Sequence, residues 1–200
     1  MKRKQAVLSG RVVLLMVVSA ALVVPAQAGE VALVNPGFER LEPDGVVVGW
    51  RLLGERSTAG AELAAVTEPV HAGIGSAKLE LRGHGRAAAE SEPVALAVGE
   101  LYRLSGAIRT AGAVADPLAK YPTAVPACLT MAGLPFTMHS TAVGGDSDWT
   151  RVELLFLAVS GSDRVRLELG CNGSARGAAW FDAIRLEKVE DIAELIPPET

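Results

Sequence analysis

Residues 101–110, LYRLSGAIRT, decide the fold class, because two kinds of side chain alternate along the stretch without a break. One set is apolar or small and consists of Tyr102, Leu104, Gly106 and Ile108. The other set is mostly polar and consists of Arg103, Ser105, Ala107 and Arg109. Successive side chains of a β-strand point to opposite faces of the sheet. The pattern therefore predicts a strand with one face in a core and the other toward water.

The same alternation recurs along the chain. In residues 165–171, VRLELGC, the apolar residues Val165, Leu167 and Leu169 alternate with Arg166 and Glu168. Seven further short runs resemble strands: GWRLL, AELAAVTE, SAKLELRG, AAAESEPVAL, ACLTMAG, WTRVELLFLAV and AAWFDAIRLEKV. Turn residues separate these runs, which predicts an all-β sandwich or barrel. The segment VELLFLAV is apolar on both faces and predicts a strand covered on both sides or packed under a loop.

Residues 1–28 have the pattern of an export signal, with basic residues, the apolar run VVLLMVVSAALVV and then PAQA. The apolar run is short for a membrane-spanning helix, which needs about 20 residues, and an uncleaved N-terminal anchor is the alternative. Residues 29–190 are then predicted to form one β-domain, and residues 191–200 a C-terminal tail. Residues 111–126 are predicted to form a long irregular loop. We therefore expect a secreted protein, extracellular or periplasmic.

The net charge argues against nucleic acid and anionic membranes as partners. The chain has 19 basic and 23 acidic residues, a net charge of −4. Four of the basic residues lie in 1–28, so the exported part would carry 15 basic against 23 acidic residues, or −8. Nucleic acids and anionic lipids are both recognised by basic patches, which this composition does not favour.

No motif in the sequence indicates catalysis. The histidines His71, His84 and His139 are scattered and lack the spacing of zinc ligands. The glycines of GIGSAK and GHGRAA do not follow the strand-then-helix order of a phosphate-binding loop, and no Gly-x-Ser-x-Gly elbow occurs. Paired carboxylates for glycoside hydrolysis stay open, because their separation in space decides that chemistry. A solvated strand face is the simpler explanation for the glutamates in question, which are Glu80, Glu90, Glu92, Glu153 and Glu168.

The two cysteines, Cys128 and Cys171, leave a disulfide open. An oxidising compartment permits the bond, and in a chain-entropy model closing this loop stabilises the fold by about 4 kcal/mol. Strand alternation argues the other way. It places Cys171 on the same face as Leu169, and Cys128 on the face opposite Leu129.

Six segments together resemble a known family: LVNPGFE, GW, HAGIGSAKLEL, GELYRLSGAIRT, DWTRVELLF and AAWFDAIRLE. In this order they resemble the jelly-roll carbohydrate-binding modules of families four, nine and twenty-two, within the galactose-binding-like superfamily. The resemblance extends over residues 33–188. It implies a two-sheet antiparallel β-sandwich in which the NPGFE segment packs near the WFD strand. The segment LVNPGFERL is predicted to be the first strand and turn of the sandwich, because Asn-Pro-Gly favours a turn. Phe38 would then enter the core.

The resemblance also implies a structural calcium ion. Glu39 and Asp182 match the positions that supply carboxylates in such modules, and calcium takes six to eight oxygen ligands. Where the family commonly has a second acid after Phe-Asp, this chain has Ala183, which removes one possible donor. The alternative is that both carboxylates cap turns or meet an arginine.

Modules of this group hold polysaccharide with aromatic side chains, because sugar rings stack on flat apolar surfaces. Aromatic residues make up only 4% of this chain, and Tyr121 and Phe136 are the candidates for a binding rim. The alternative is that both anchor loops on the core. Arg103, Arg109 and Glu168 are candidate polar contacts from neighbouring strands. The predicted function is non-catalytic binding of an extracellular or cell-wall glycan. The alternative is a structural or protein-interaction domain of the same fold that has lost sugar binding.

Overall fold

The computed structural model describes residues 29–116 and 124–190. Within these ranges the regular elements are β-strands and one 3-10 turn, Gly54–Arg56. The strands are β1 Trp50–Leu52, β2 Glu62–Val66, β3 Ser76–Gly85, β4 Ala87–Ser91, β5 Val94–Ala95, β6 Leu101–Ala115, β7 Val125–Met131, β8 Gly145–Leu157, β9 Ser162–Asp163, β10 Val165–Cys171 and β11 Ala175–Lys188.

Two antiparallel sheets form a β-sandwich, as predicted. The four-stranded sheet has the order β1-β4-β10-β7, and the five-stranded sheet has the order β2-β3-β11-β6-β8. The strands β5 and β9 pair separately. Each of the nine runs with strand-like sequence overlaps one strand of the two main sheets. The predicted fold class, an all-β jelly roll, is therefore confirmed.

The core lies between the two sheets and is built from the inward set of each strand. From the four-stranded sheet come Ala89, Leu129, Leu167 and Leu169, and from the five-stranded sheet come Leu79, Leu104, Ile108, Phe181 and Leu186. Gly106 of β6 faces Leu129 of the other sheet. A Cβ atom there would lie 2.7 Å from Cδ1 of Ile184 and 3.0 Å from Cδ1 of Leu129, so the packing requires glycine.

The N-terminal segment 31–40 is a loop and not the strand that its sequence suggests. Asn35 and Phe38 have φ values of 52° and 57°, which interrupt an extended backbone. Phe38 is buried as predicted, and its ring centroid lies 5.0 Å from that of Trp50. The Pro36 carbonyl accepts a hydrogen bond from the Ile184 amide at 3.1 Å, so this segment does pack beside the WFD strand.

Two further expectations are wrong. Strand β8 is not covered on both faces: Leu154 and Phe156 are buried, whereas Leu157 on the other face is 57% exposed. The predicted irregular stretch 111–126 is shorter than expected, because β6 continues to Ala115.

Three predicted features lie outside the described residues. These are the leader 1–28, the tail 191–200 and the rim residue Tyr121. In the described part of the chain, no helix has the length and apolar character needed to cross a bilayer.

Candidate ligand-binding face

The outer face of the four-stranded sheet carries charged side chains that are almost completely buried. Since Leu167 and Leu169 of β10 point into the core, Arg166 and Glu168 point outward from the middle of the sheet. Glu168 is nevertheless only 1% exposed, and Glu90 on the neighbouring β4 is 5% exposed. Burying a charge is costly unless the charge is paired and hydrogen-bonded.

These acids are paired with four arginines. Glu168 accepts two-point hydrogen bonding from Arg86, whose Nε and Nη2 lie 3.1 and 2.9 Å from Oε2. Glu90 pairs with Arg166, whose Nε lies 3.1 Å from Oε1, and with Nη2 of Arg51 at 3.5 Å. Members of the resulting Arg–Glu network are Arg51, Arg56, Arg86, Arg166, Glu90 and Glu168.

Strand register fixes this network in place. Arg166 lies directly opposite Glu90 in the β10–β4 ladder, and Glu168 lies opposite Cys128 in the β10–β7 ladder. Two-point arginine–carboxylate pairs fix direction as well as distance. The outer face therefore presents polar groups whose positions are set before any ligand arrives, which lowers the ordering cost of binding.

Arg56 is the least satisfied member of the Arg–Glu network. It lies in the 3-10 turn, and its Nη2 is 3.9 Å from the nearest Glu168 oxygen. Its Nε is buried and has no hydrogen-bond partner among the described residues. Burial, followed by the nearby charges of Arg166 and Arg86, lowers the pKa of the Arg56 guanidinium. Two like charges therefore lie near Arg56, and its nearest acid, Glu168, is 3.9 Å away.

Beside the network is a cleft of about 210 Å³. Its polar lining comes from Arg56, Thr130, Arg166 and Glu168, and its apolar lining includes Leu134, Pro135 and Phe136. Phe136 is 54% exposed, whereas Leu134 of the same loop packs against the core. The cleft thus combines fixed hydrogen-bonding groups with an accessible aromatic ring, a combination common in small-molecule sites.

Cys128 and Cys171 meet at the base of the same face. A hydrogen bond to Cys171, together with burial, raises the pKa of the Cys128 thiol. Gly170 has a φ of 83°, a conformation that disturbs the strand alternation just before Cys171. The two cysteines therefore lie together even though simple alternation separates them. Both are thiols in this structure, and the disulfide stays a prediction.

The structure divides the predicted ligand contacts between two faces. Phe136 and Glu168 line the cleft described above. The expectation that Arg103 and Arg109 lie on strands beside Glu168 is wrong, because both belong to β6 in the five-stranded sheet and point away from the core on its other side. There Arg103 Nε lies 3.9 Å from Glu153 and Arg109 Nη1 lies 3.3 Å from Asp148.

Sequence reasoning missed Arg56, Arg86, Arg166 and Glu90 as members of one site. Arg86 and Glu168 are 82 residues apart, and Arg166 and Glu90 are 76 residues apart. No local motif joins such positions. The available signal was the outward placement of two charges, Arg166 and Glu168, in a strand that otherwise reads as core.

A second, larger depression of about 380 Å³ lies on the outer face of the five-stranded sheet. Its charged lining comes from His71, Arg151 and Arg185, which are all exposed side chains. The His71 ring lies 5.6 Å from that of Trp149. We favour the smaller cleft despite its size, because Arg166 and Glu168 in its lining are buried and held by ion pairs. Exposed side chains lose conformational freedom when they bind.

The predicted calcium ligands Glu39 and Asp182 both contact the loop 71–74. Asp182 Oδ2 accepts hydrogen bonds from the amides of His71 and Ala72 at 2.8 and 2.9 Å, and its Oδ1 accepts one from Ala183 at 2.6 Å. Glu39 Oε1 accepts one from the Ile74 amide at 3.2 Å.

This donor set does not fit calcium well. Three amides already occupy the Asp182 carboxylate, which has about four acceptor positions. The described residues contain no cluster of three or more His, Cys, Asp or Glu side chains suited to a metal, whereas calcium takes six to eight oxygens. The calcium ion that the resemblance implies is not needed to explain these carboxylates, since they hold the loop 71–74 against the sheet.

Comparison with known proteins gives structural likenesses only. No protein-family model matches the chain, and no curated protein matches it. The chain is similar in structure to TmCBM61 in complex with β-1,4-galactotriose, with a TM-score of 0.51 and 19% identity over 78% of this chain and 96% of that one. It is similar to the CBM22-1 xylan-binding domain of Xyn10C from Paenibacillus barcinonensis, with a TM-score of 0.50 and 17% identity over 83% and 99% of the two chains.

A third similar structure is a cyclase from Fischerella sp. TAU in complex with 4-(1H-indol-3-yl)butan-2-one. Its TM-score is 0.57, with 17% identity over 86% of this chain and all of that chain. These likenesses confirm the jelly-roll fold of the carbohydrate-binding-module group. At such identities they establish the fold alone, and one fold serves many functions.

Proposed function

We propose that this chain is an exported, non-catalytic module that binds an extracellular or cell-wall glycan in the cleft on the outer face of the four-stranded sheet. The observation that carries the proposal is the placement of Phe136, a half-exposed aromatic ring, beside the buried Arg–Glu network. Sugars present C–H faces and hydroxyl groups together. An aromatic ring suits the first, and charged side chains that form strong hydrogen bonds suit the second.

The similar structures support a glycan as the ligand class. TmCBM61 is described with β-1,4-galactotriose, and the Xyn10C domain is described as xylan-binding. The cyclase of the same fold supports a different ligand class, so the non-catalytic part of the proposal needs its own test. The export pattern in residues 1–28 supports a location outside the cytoplasm, where extracellular and cell-wall glycans are found.

The alternative is a structural or protein-interaction domain, and a specific observation favours it. Phe136 is the only aromatic among the described residues that line the cleft. Polysaccharide sites commonly use several stacking rings. A protein ligand would need an exposed apolar surface in place of a sugar-stacking ring. Leu155 and Leu157 of the edge strand β8 are exposed and provide such a surface.

An insoluble-polysaccharide pull-down combined with a glycan array, with and without calcium, tests the proposal. We expect retention on at least one glycan and no release of reducing sugar during the incubation. Binding to no glycan in either format would favour the protein-interaction alternative. Release of sugar from a bound glycan would contradict the non-catalytic role.

A further inference from the structure

We propose that the sugar bound in this cleft is anionic and that its carboxylate meets Arg56. This inference rests on the proposed glycan-binding function and adds the chemical class of the ligand. It begins from a charge imbalance. The Arg–Glu network contains four arginines and two glutamates, a formal charge of +2, within a chain whose net charge is −4.

The pairing in the network concentrates this excess at Arg56. Arg86 engages Glu168 through two nitrogens, and Arg166 engages Glu90. Arg56 comes no closer than 3.9 Å to a carboxylate oxygen, which is beyond hydrogen-bonding distance. Arg56 is therefore more weakly paired than Arg86 or Arg166, and its buried Nε–H has no hydrogen-bond partner in the described residues.

The position of Arg56 makes the charge usable by a ligand. Arg56 lines the cleft together with Arg166, and Glu168 is the one acid among the described lining residues. Both oxygens of Glu168 already accept bonds from Arg86, so its negative charge is largely neutralised. The guanidinium group offers a planar fork of donors that matches a carboxylate, and such charge-assisted bonds are the stronger ones.

The size of the cleft limits how much of the ligand it can hold. A volume of about 210 Å³ is below the range of roughly 300–1,000 Å³ that is usual for drug-sized ligands. One sugar unit with its acidic substituent is therefore the natural occupant, with Phe136 against its C–H face. A uronic acid unit in a polysaccharide supplies these features.

The test compares polymers that share a backbone and differ in charge. The probes are polygalacturonate, its fully methyl-esterified form and its carboxyl-reduced form, measured by affinity electrophoresis and calorimetry. We expect polygalacturonate to bind at least about tenfold more tightly than either neutral form, because one charge-assisted pair is lost. The preference should shrink as salt is raised, since screening weakens exposed charge pairs. A sulfated galactan beside its desulfated form shows whether any anion suffices.

Arg56→Gln should remove the preference for the charged polymer, so that the variant binds the charged and the neutral forms with about equal affinity. Arg82→Gln is the matched control, because Arg82 is exposed on β3 and pairs only with Glu62 among its described ionic contacts. Equal affinity for charged and neutral polymers would overturn the inference and leave the proposed function intact. A preference that persists in Arg56→Gln would also overturn it. If the protein bound neither these polymers nor any other glycan, the inference and the proposed function would both be overturned.

Discussion

Arg86 donates to the Glu168 carboxylate from Nε and Nη2, at 3.1 and 2.9 Å, and so neutralises an acid that is buried on an outer face of the sandwich. The pair links Arg86, the residue between β3 and β4, to the middle of β10. An acid in this position is tolerated only because arginine surrounds it.

Glu168→Gln should lower the free energy of unfolding by about 3–5 kcal/mol, because removing one partner of a buried ion pair leaves the other charge uncompensated. Urea denaturation monitored by tryptophan fluorescence measures the change. Glu62→Gln is the matched control, since the Glu62–Arg82 pair is exposed, and its loss should cost less than about 1 kcal/mol. Equal effects of the two substitutions would mean that the Arg–Glu network contributes no more than a surface pair.

Phe136→Ala should weaken glycan binding by about tenfold or more, as expected for an aromatic anchor in a binding site. Its effect on unfolding should stay within about 0.5 kcal/mol, because the ring is half exposed. Trp149→Ala, near the depression on the opposite face, is the comparison. Loss of binding in Trp149→Ala but not in Phe136→Ala would move the site to the five-stranded sheet.

Asp182→Ala should destabilise the fold by at least about 2 kcal/mol, because three backbone amides lose their acceptor at once. Glu39→Ala should cost less, since Glu39 accepts a single, longer hydrogen bond at an exposed position. Thermal unfolding of both variants measures the difference. A larger loss in Glu39→Ala would contradict the role given to Asp182.

Calcium removal provides a separate test of the predicted metal site. From the amide bonds of Asp182 we expect the melting temperature to be the same in EGTA as in buffer. It should also be the same after calcium is added in excess. A fall in EGTA that calcium reverses would show that the ion implied by the sequence resemblance is bound, with ligands beyond Glu39 and Asp182.

The contact between Cys128 and Cys171 predicts that the two thiols form a disulfide when the protein is made in an oxidising compartment. Exported protein is alkylated without prior reduction and analysed by mass spectrometry. If the disulfide is present, neither cysteine takes up the alkylating label. In the chain-entropy model, the bond adds about 4 kcal/mol to stability. Two alkylated cysteines in unreduced, denatured protein would contradict the prediction.

The sequence predicted most of the fold because strand alternation is a local signal. Tyr102, Leu104 and Ile108 face the core as the pattern of residues 101–110 indicates. The failures have local causes of a different kind. Positive φ at Asn35 and Phe38 interrupts the expected first strand. Leu157 of β8 lies on the outward face of its sheet, which the apolar run VELLFLAV does not encode.

The candidate site was only partly predictable. Phe136 and Glu168 were identified from residue type and placement on a strand, but the sequence could not say that β6 and β10 belong to different sheets. Sheet membership depends on pairings between distant strands, and this alone separated Arg103 and Arg109 from the cleft. For the same reason Arg56 and Arg86, which lie far from Glu168 in the chain, could not be assigned to it.

Mapping the bound glycan by amide chemical shifts tests the central claim most directly. The protein is titrated with a glycan that binds it in the pull-down or on the array. The amides whose shifts change are then mapped onto the two sheets. The largest shifts are expected in β7, β10, the turn Gly54–Arg56 and the residues around Phe136. Shifts concentrated on β6, β8 and β11, with the four-stranded sheet unaffected, would contradict the assignment of the binding face.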